Sequence, residues 1–161
     1  MSDNKIIERI KSQYGSLVID SHDFRGDQTV TVKKDCTIEF FKFLRDDSEL
    51  DFNFLMDLTA VDYASKKVDG FEVVYHLYSL KHNHRLRIKI PVSIDDCIAD
   101  SITPLWKTAN WYEREIWDMY GIKFRGHPNL RRILLYEEFK GHPLRKDYPI
   151  NKRQPLIGPL N

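Results

Sequence analysis

Prolines dominate the last forty residues of this chain and limit what that stretch can form. They stand at positions 128, 143, 149, 155 and 159. Each proline lacks a backbone N–H and its ring clashes with the preceding helical turn, so no interval between them can hold a long helix. Few apolar residues lie in the same stretch, too few for a separate core. We therefore predict an extended arm over residues 122–161.

Two Gly-His-Pro turns mark this arm, at 126–128 and 141–143. Glycine permits a positive φ, and proline holds the preceding histidine extended, so His127 and His142 would be presented rigidly. A basic pair follows each turn, Arg131-Arg132 after the first and Arg145-Lys146 after the second. We interpret each imidazole as a group that satisfies backbone atoms at a turn or a partner surface, with proton transfer as the alternative.

The first hundred residues alternate between helical and strand patterns. Helices are predicted over 3–14 and from a cap at Asp35 or Thr37 to about Arg45, and strands over 16–20, 28–34, 52–63, 71–80 and 85–92. Residues 46–51 read as a polar loop and 65–70 as a hairpin turn. Each helix has one apolar stripe to bury. The order α-β-β-α-β-β-β therefore predicts an α+β fold, a two-layer domain with a mixed sheet and both helices on one face.

A further helix is expected between this domain and the arm. Thr103-Pro104 is a good helix start, and Asn110 through Glu113 is a second, as a variant of the capping box. Gly121 is expected to end the helix. Arg114 and Asp118 stand four residues apart and are predicted to pair on one helix face. The chain thus divides into an α/β domain (1–100), a helical segment (101–121) and the arm (122–161).

Composition excludes several classes of protein. The chain of 161 residues is 42% hydrophobic and 30% charged, which indicates a globular domain rather than a disordered one. Its apolar runs fall short of a membrane span, and its charged start resembles no secretory signal. Cys36 and Cys97 stand far apart, too few for a disulfide framework or an iron–sulfur site. They are expected to be reduced thiols of a cytosolic protein.

Candidate catalytic groups are weak in this sequence. His82 and His84 could face one side of a strand edge, but no third metal ligand is evident, and a polar turn is favoured. Glu113 and Glu115 stand two residues apart and do not face each other on a helix, so ion pairing is favoured over acid–base catalysis. No phosphate loop, nucleophile elbow or dinucleotide fingerprint is present.

The charge of the arm suggests a partner. Residues 121–161 hold nine Lys/Arg against three Asp/Glu, a balance of +6, whereas residues 1–120 hold sixteen against twenty-one, a balance of −5. Interleaved aromatics loosely match a nucleic-acid surface, yet no nucleic-acid-binding motif is present. Arginine and aromatic residues are also enriched at protein interfaces. The residues alone therefore favour a component of a larger assembly, with a nucleic-acid-binding module as the alternative.

The same residues resemble a known family. Glu113-Arg114-Glu115, Asp118-Met119-Tyr120, His127, Arg131 and Ile133-Leu134 are similar to the signature of the 30-kilodalton subunit of respiratory complex I, also called its C subunit. Segments 54–63, 102–115 and 141–149 resemble it as well, so the resemblance covers nearly the whole chain. Phe139 stands where the family often has tryptophan.

The resemblance implies a structural role in a proton-translocating NADH:quinone oxidoreductase. The chain would itself hold no cofactor or metal; FMN, iron–sulfur clusters and quinone would belong to partner subunits. Its arm would wrap the D subunit, with the B and I subunits nearby, at the cytoplasmic face of the bacterial inner membrane. The expected interface residues are Glu113, Arg114, Glu115, Asp118, His127, Arg131, Arg132, His142, Arg145, Lys146, Asp147 and Tyr148. The nearest alternative is the equivalent subunit of a membrane-bound [NiFe] hydrogenase or formate hydrogenlyase.

Overall fold

The computed structural model describes residues 4–35, 37–63 and 70–155. Cys36 and most of the turn predicted at 65–70 lie outside them. The elements in chain order are α1 (Asn4–Tyr14), β1 (Val18–Phe24), β2 (Asp27–Val32), α2 (Thr37–Asp46), β3 (Phe54–Asp62), β4 (Gly70–Ser79), β5 (His84–Ser93), β6 (Ile98–Asp100), α3 (Ala109–Tyr120) and β7 (Lys123–Arg125). The predicted order of the first seven elements is confirmed.

Five strands form one mixed sheet in the order β1-β2-β5-β4-β3. Neighbours are antiparallel except β2 and β5, which run parallel and are joined through α2, β3 and β4. A second, two-stranded parallel sheet joins β6 to β7. The sequence analysis did not predict this small sheet, because strands of three residues carry no readable alternation.

One face of the main sheet holds the core. Leu86, Ile88 and Ile90 alternate along β5 and are buried, as their spacing predicted. The helix α2 packs on this face, where the Phe41 ring lies 4.6 Å from the Tyr75 ring. The helix α1 joins it through Tyr14, 5.5 Å from Phe40 between ring centroids. Both helices therefore cover the same face, which matches the predicted two-layer α+β arrangement.

Two local predictions were wrong. The loop after α2 is not wholly polar, since Leu50 is fully buried there and its N–H donates to the Asp47 carbonyl. The predicted helix start at Thr103-Pro104 is instead a tight turn, in which the N–H groups of Leu105 and Trp106 both donate to the carbonyl of Ile102. Trp106 of this turn packs against Phe41. The helix α3 begins only at Ala109.

Beyond β7 the described residues of the arm, 126–155, form neither helix nor strand. They run as a series of turns, so the predicted absence of a long helix holds for these residues, whereas the predicted extended course is wrong, because the Gln154 side chain folds the arm back onto Lys140. The division into segments 1–100, 101–121 and 122–161 stays a prediction.

Candidate functional site: the arm bound to helix α3

Asp118 is the buried centre of the contact between α3 and the arm. One carboxylate oxygen accepts the backbone N–H groups of Ile133, Leu134 and Leu135 at 3.1, 2.9 and 3.0 Å. The other accepts the Arg132 guanidinium at 2.5 Å. Burial alone raises the pKa of Asp118, but the N–H groups and the guanidinium outweigh it and hold the pKa below its usual value. The charged carboxylate therefore fixes the arm to the domain.

Arg132 links this carboxylate to the rest of the arm. Its guanidinium also donates to the carbonyls of Phe139, at 2.6 Å, and Gly141, at 3.3 Å. It lies 5.6 Å from the centroids of both the Trp117 and the Phe139 rings. A planar guanidinium suits this combination of stacking and forked donation, and lysine would not.

Arg114 binds the backbone of the arm and does not pair with Asp118. Its Nε donates to the Arg131 carbonyl at 3.1 Å and its Nη2 to the Arg132 carbonyl at 2.9 Å. The predicted Arg114–Asp118 pair is therefore wrong. Each of the two side chains meets a group from the arm, which lies fourteen or more positions away in sequence, and local spacing does not show such partners.

The first Gly-His-Pro turn is bound to the start of α3. The Nδ1 atom of His127 accepts the N–H of Asn129 at 3.0 Å, so the proton sits on Nε2 and is donated to the Asn110 carbonyl at 3.1 Å. Burial, with the charge of Arg114, lowers the pKa of His127, although the bond to Asn110 opposes this. The neutral imidazole thus satisfies backbone groups, as the favoured interpretation had it.

The second Gly-His-Pro turn caps the other end of α3. The Nδ1–H of His142 donates to the Asp118 carbonyl at 3.0 Å, and the Leu144 N–H donates to the Met119 carbonyl at 3.1 Å. These carbonyls belong to the last turn of the helix. Carbonyl groups there have no N–H partners within the helix itself. Gly121 ends the helix with φ of 80°, as predicted, and a Cβ there would lie 2.7 Å from the His142 ring.

The basic pair after the second turn contacts the main sheet. The Lys146 N–H donates to the Asp62 carboxylate at 2.7 Å, and Arg145 stacks 5.1 Å from the Phe71 ring centroid. Arg145 also pairs with Asp147 at 3.0 Å. These contacts place the second basic pair against the ends of β3 and β4.

The far part of the arm folds back on itself. The Gln154 side chain exchanges two hydrogen bonds with the Lys140 backbone, at 2.9 and 2.8 Å, and a third reaches the Tyr148 hydroxyl at 2.9 Å. The Tyr148 ring stacks on Phe139 at 6.1 Å. Residues 139–154 therefore form one closed loop beside α3.

Glu113 faces the core. Its side chain is fully buried, and Oε1 accepts the Ile102 N–H at 2.8 Å, so the predicted capping box with Asn110 does not form. Its Oε2 has no hydrogen-bond partner within the described residues. Burial raises the pKa of Glu113 to about 7, although Ser101 and the Ile102 N–H lower it. The sequence analysis did not predict this burial. The only signal for it is that Glu113 stands three residues before Ile116 and so lies on the same face of the helix. Glu115, two residues away, is exposed.

Several apolar side chains point outward from this part of the molecule. Leu134, Leu144 and Ile150 of the arm and Trp111 of α3 are more than half exposed. Sequence reasoning missed them as well, because isolated apolar residues in an irregular segment carry no period.

Other candidate groups have structural partners. His82 and His84 each place Nε2 against a loop carbonyl, that of Ser48 at 3.0 Å and that of Leu50 at 2.7 Å. Within the described ranges, no cluster of three or more His, Cys, Asp or Glu side chains could hold a metal ion. Among the helices of the described residues, none has the length and apolar character that a membrane span requires.

The sequence matches a known protein family over most of its length. The family described as respiratory-chain NADH dehydrogenase, 30 Kd subunit, matches residues 30–154. The C subunit of NADH-quinone oxidoreductase from Citrifermentans bemidjiense is 47% identical over 160 residues, which are 98% of this chain and 98% of that protein. The C subunit from Geobacter sulfurreducens is 41% identical with the same coverage of both chains.

Solved structures share the fold. A trypsin-resistant fragment (1-134) of Nqo5 has a TM-score of 0.69 and 28% identity, covering 81% of this chain and all of the fragment. A chain of the membrane-bound sulfane sulfur reductase, an archaeal respiratory membrane complex, has a TM-score of 0.78 and covers 94% of this chain and 88% of its own length. At 20% identity that second likeness concerns the fold alone. The chain belongs to the family of the respiratory-chain NADH dehydrogenase 30 Kd subunit and is a subunit of NADH-quinone oxidoreductase, complex I.

Proposed function

We propose that this chain is a non-catalytic, structural subunit of the peripheral part of complex I, and that its arm docks a neighbouring subunit. The observation that carries the proposal is that the charged side chains of the site bind the arm. Asp118, Arg114 and Arg132 are engaged in holding the arm against α3. His127 uses both ring nitrogens in the same way. Groups committed to backbone contacts are poor candidates for proton or electron transfer.

The partner of the arm is proposed to be the D subunit, with the B and I subunits nearby. While the arm is fixed from the inside, Leu134, Leu144 and Ile150 point to solvent, and the arm also carries exposed cations such as Lys140 and Lys146. Protein interfaces combine exposed apolar side chains with charged groups of this kind.

Electron transfer from NADH is then the work of partner subunits. FMN, the iron–sulfur clusters and quinone are proposed to lie there, and this chain stabilises the quinone-reducing module at the cytoplasmic face of the bacterial inner membrane. Membership in a [NiFe] hydrogenase or formate hydrogenlyase complex is the alternative; the fold itself does not decide between them, since a chain of an archaeal respiratory membrane complex shares it. A nucleic-acid-binding module is disfavoured because Arg132 and Arg145 of the arm are already paired with carboxylates.

The test replaces the outward apolar groups and leaves the internal contacts intact. A chain with Leu134, Leu144 and Ile150 changed to serine is expressed in the native host, and the subunits that co-purify are measured together with NADH:quinone reductase activity. We expect both to fall together, while the purified variant unfolds at the normal temperature. Leu80→Ser is the matched control, since Leu80 is equally exposed at the β4–β5 turn.

Deletion of residues 130–161 is the complementary test. It keeps β7, whose Phe124 is buried, and removes most of the arm. Normal assembly and activity of the truncated chain would refute the proposal. Recovery of a nickel-bearing partner would favour the hydrogenase alternative, and salt-dependent binding of RNA or DNA would favour the nucleic-acid module.

A further inference from the structure

An exposed tryptophan lies at the start of α3, beside the first Gly-His-Pro turn. Trp111 is 62% exposed, whereas Trp106, five residues earlier, is only 6% exposed. Trp111 lines a groove of about 530 Å³ between the start of α3 and the first Gly-His-Pro turn, and Pro104 and Pro128 line it as well. We call this the Trp111 groove. A large aromatic left in water costs free energy in the isolated chain, and its burial by a partner would recover it.

The walls of the Trp111 groove are fixed by the rest of the chain. His127, between Gly126 and Pro128, donates to the Asn110 carbonyl, which ties the turn to the helix. The Arg114 guanidinium lies 5.1 Å from the centroid of the Trp111 rings and is itself held by two arm carbonyls. A site whose walls are ordered before binding loses little entropy when a partner docks.

Charge indicates the chemistry of that partner. Among the groove-lining side chains of the described residues, only Lys107 is charged, and it is exposed. The cation of Arg114 stacks on the indole from the side of the arm. The groove therefore presents positive charge beside an aromatic face. A carboxylate next to an apolar or prolyl side chain complements this pair.

We propose that the Trp111 groove docks an extended segment of a neighbouring complex I subunit, which packs an apolar side chain on Trp111 and presents a carboxylate to Lys107. The inference rests on the proposed function, because it takes the chain to be a structural subunit, and it adds a contact separate from those of Leu134, Leu144 and Ile150. Single-stranded nucleic acid is the weaker fit, since such sites combine several stacking aromatics with a continuous basic track.

Photo-crosslinking in the assembled complex tests this directly. The photoreactive residue p-benzoylphenylalanine replaces Trp111 in one tagged chain and Phe24 in another. Phe24 is the matched control, since it is 63% exposed on the edge strand β1. We expect crosslinks from position 111, and not from position 24, to one partner peptide that contains Asp or Glu beside an apolar residue. An assembled complex without a crosslink from position 111, or with one to nucleic acid or to a peptide lacking a carboxylate, would overturn the inference.

Substitutions separate this contact from that of the arm. Trp111→Ala should speed dissociation of the crosslinked partner on the order of 30-fold, the effect of a central aromatic at an interface. Lys107→Gln should weaken the contact about threefold and reduce its dependence on salt, and Lys107→Arg should not. If the arm variants abolish assembly while Trp111→Ala changes neither dissociation nor assembly, the proposed function stands and the Trp111 groove is not a docking site. The unfolding temperature of each purified variant, expected to be unchanged, excludes misfolding as the cause.

Discussion

The ionisation of Glu113 should make this protein less stable as the pH rises, and Glu113→Gln should remove the effect. Glu113 is fully buried in α3, with one oxygen bonded to the Ile102 N–H and the other without a partner in the described residues. Glutamine has the same shape and can still accept that N–H through Oε1. It cannot ionise, so the substitution isolates the cost of burying the charge.

The sign and the size follow from the pKa. Burial raises the pKa of Glu113 from 4.5 to about 7 in the folded chain. Between these values the folded state holds a proton that the unfolded state has released, so the free energy of unfolding falls as the pH rises. Each tenfold change in proton affinity is worth about 1.4 kcal/mol, which makes the full cost about 3 kcal/mol above pH 7. Below pH 4.5 both states are protonated and the cost vanishes.

Urea unfolding at pH 5, 6, 7 and 8, followed by circular dichroism, measures the prediction. The difference in unfolding free energy between Glu113→Gln and the parent chain should grow with pH toward about 3 kcal/mol in favour of glutamine. All other titrating groups are common to both proteins and cancel. Glu115→Gln, at an exposed position of the same helix, should show no such trend. A difference for Glu113→Gln that stays constant from pH 5 to 8 would refute the reasoning.

Three further predictions concern the arm and the core. Asp118→Asn should destabilise the chain by about 3 kcal/mol, because it leaves Arg132 without its buried counter-charge; hydrogen exchange of residues 133–135 should quicken, and unchanged protection there would contradict the assignment. Gly121→Ala should lower the free energy of unfolding by about 1 to 2 kcal/mol, since φ is 80° and a Cβ would meet an imidazole, and a thermal melt measures it. Leu50→Ala should cost about 2 to 5 kcal/mol in urea unfolding, and the exposed control Leu80→Ala close to none.

The main sheet could be predicted because its signals are local. In β5 the alternation of Leu86, Ile88 and Ile90 with charged residues fixes both the strand and its buried face. Phe41 belongs to the apolar stripe of α2, which can be buried only against the sheet. Its ring lies against Tyr75. Leu50 escaped prediction because one apolar residue in a polar loop has no period.

The contacts of the candidate site could not be predicted from spacing. Arg114 and Asp118 stand four residues apart, which suits a helical ion pair worth a few tenths of a kcal/mol. Each instead meets an arm group in a buried setting, where an unpaired backbone group would cost about 1 to 3 kcal/mol. The contacts with the arm are worth more free energy than the helical ion pair, so they decide the pairing. They depend on arm residues that only the fold brings near α3. The sequence predicted an arm without a long helix and the cap at Gly121, but not how the arm folds back or what holds it.

Two buried carboxylates on one helix have opposite responses to pH, and the number of donors explains why. Asp118 accepts three backbone N–H groups and a guanidinium, so its pKa lies below 3.8 and its stabilisation is lost only as the pH falls through that lower value. Glu113 accepts the Ile102 N–H; this bond and Ser101 lower its pKa, but burial outweighs them and raises it. Acidification from pH 8 to pH 5 therefore removes the cost of burying the Glu113 charge while the carboxylate that fixes the arm stays ionised. The arm should remain attached across the whole range in which Glu113 titrates.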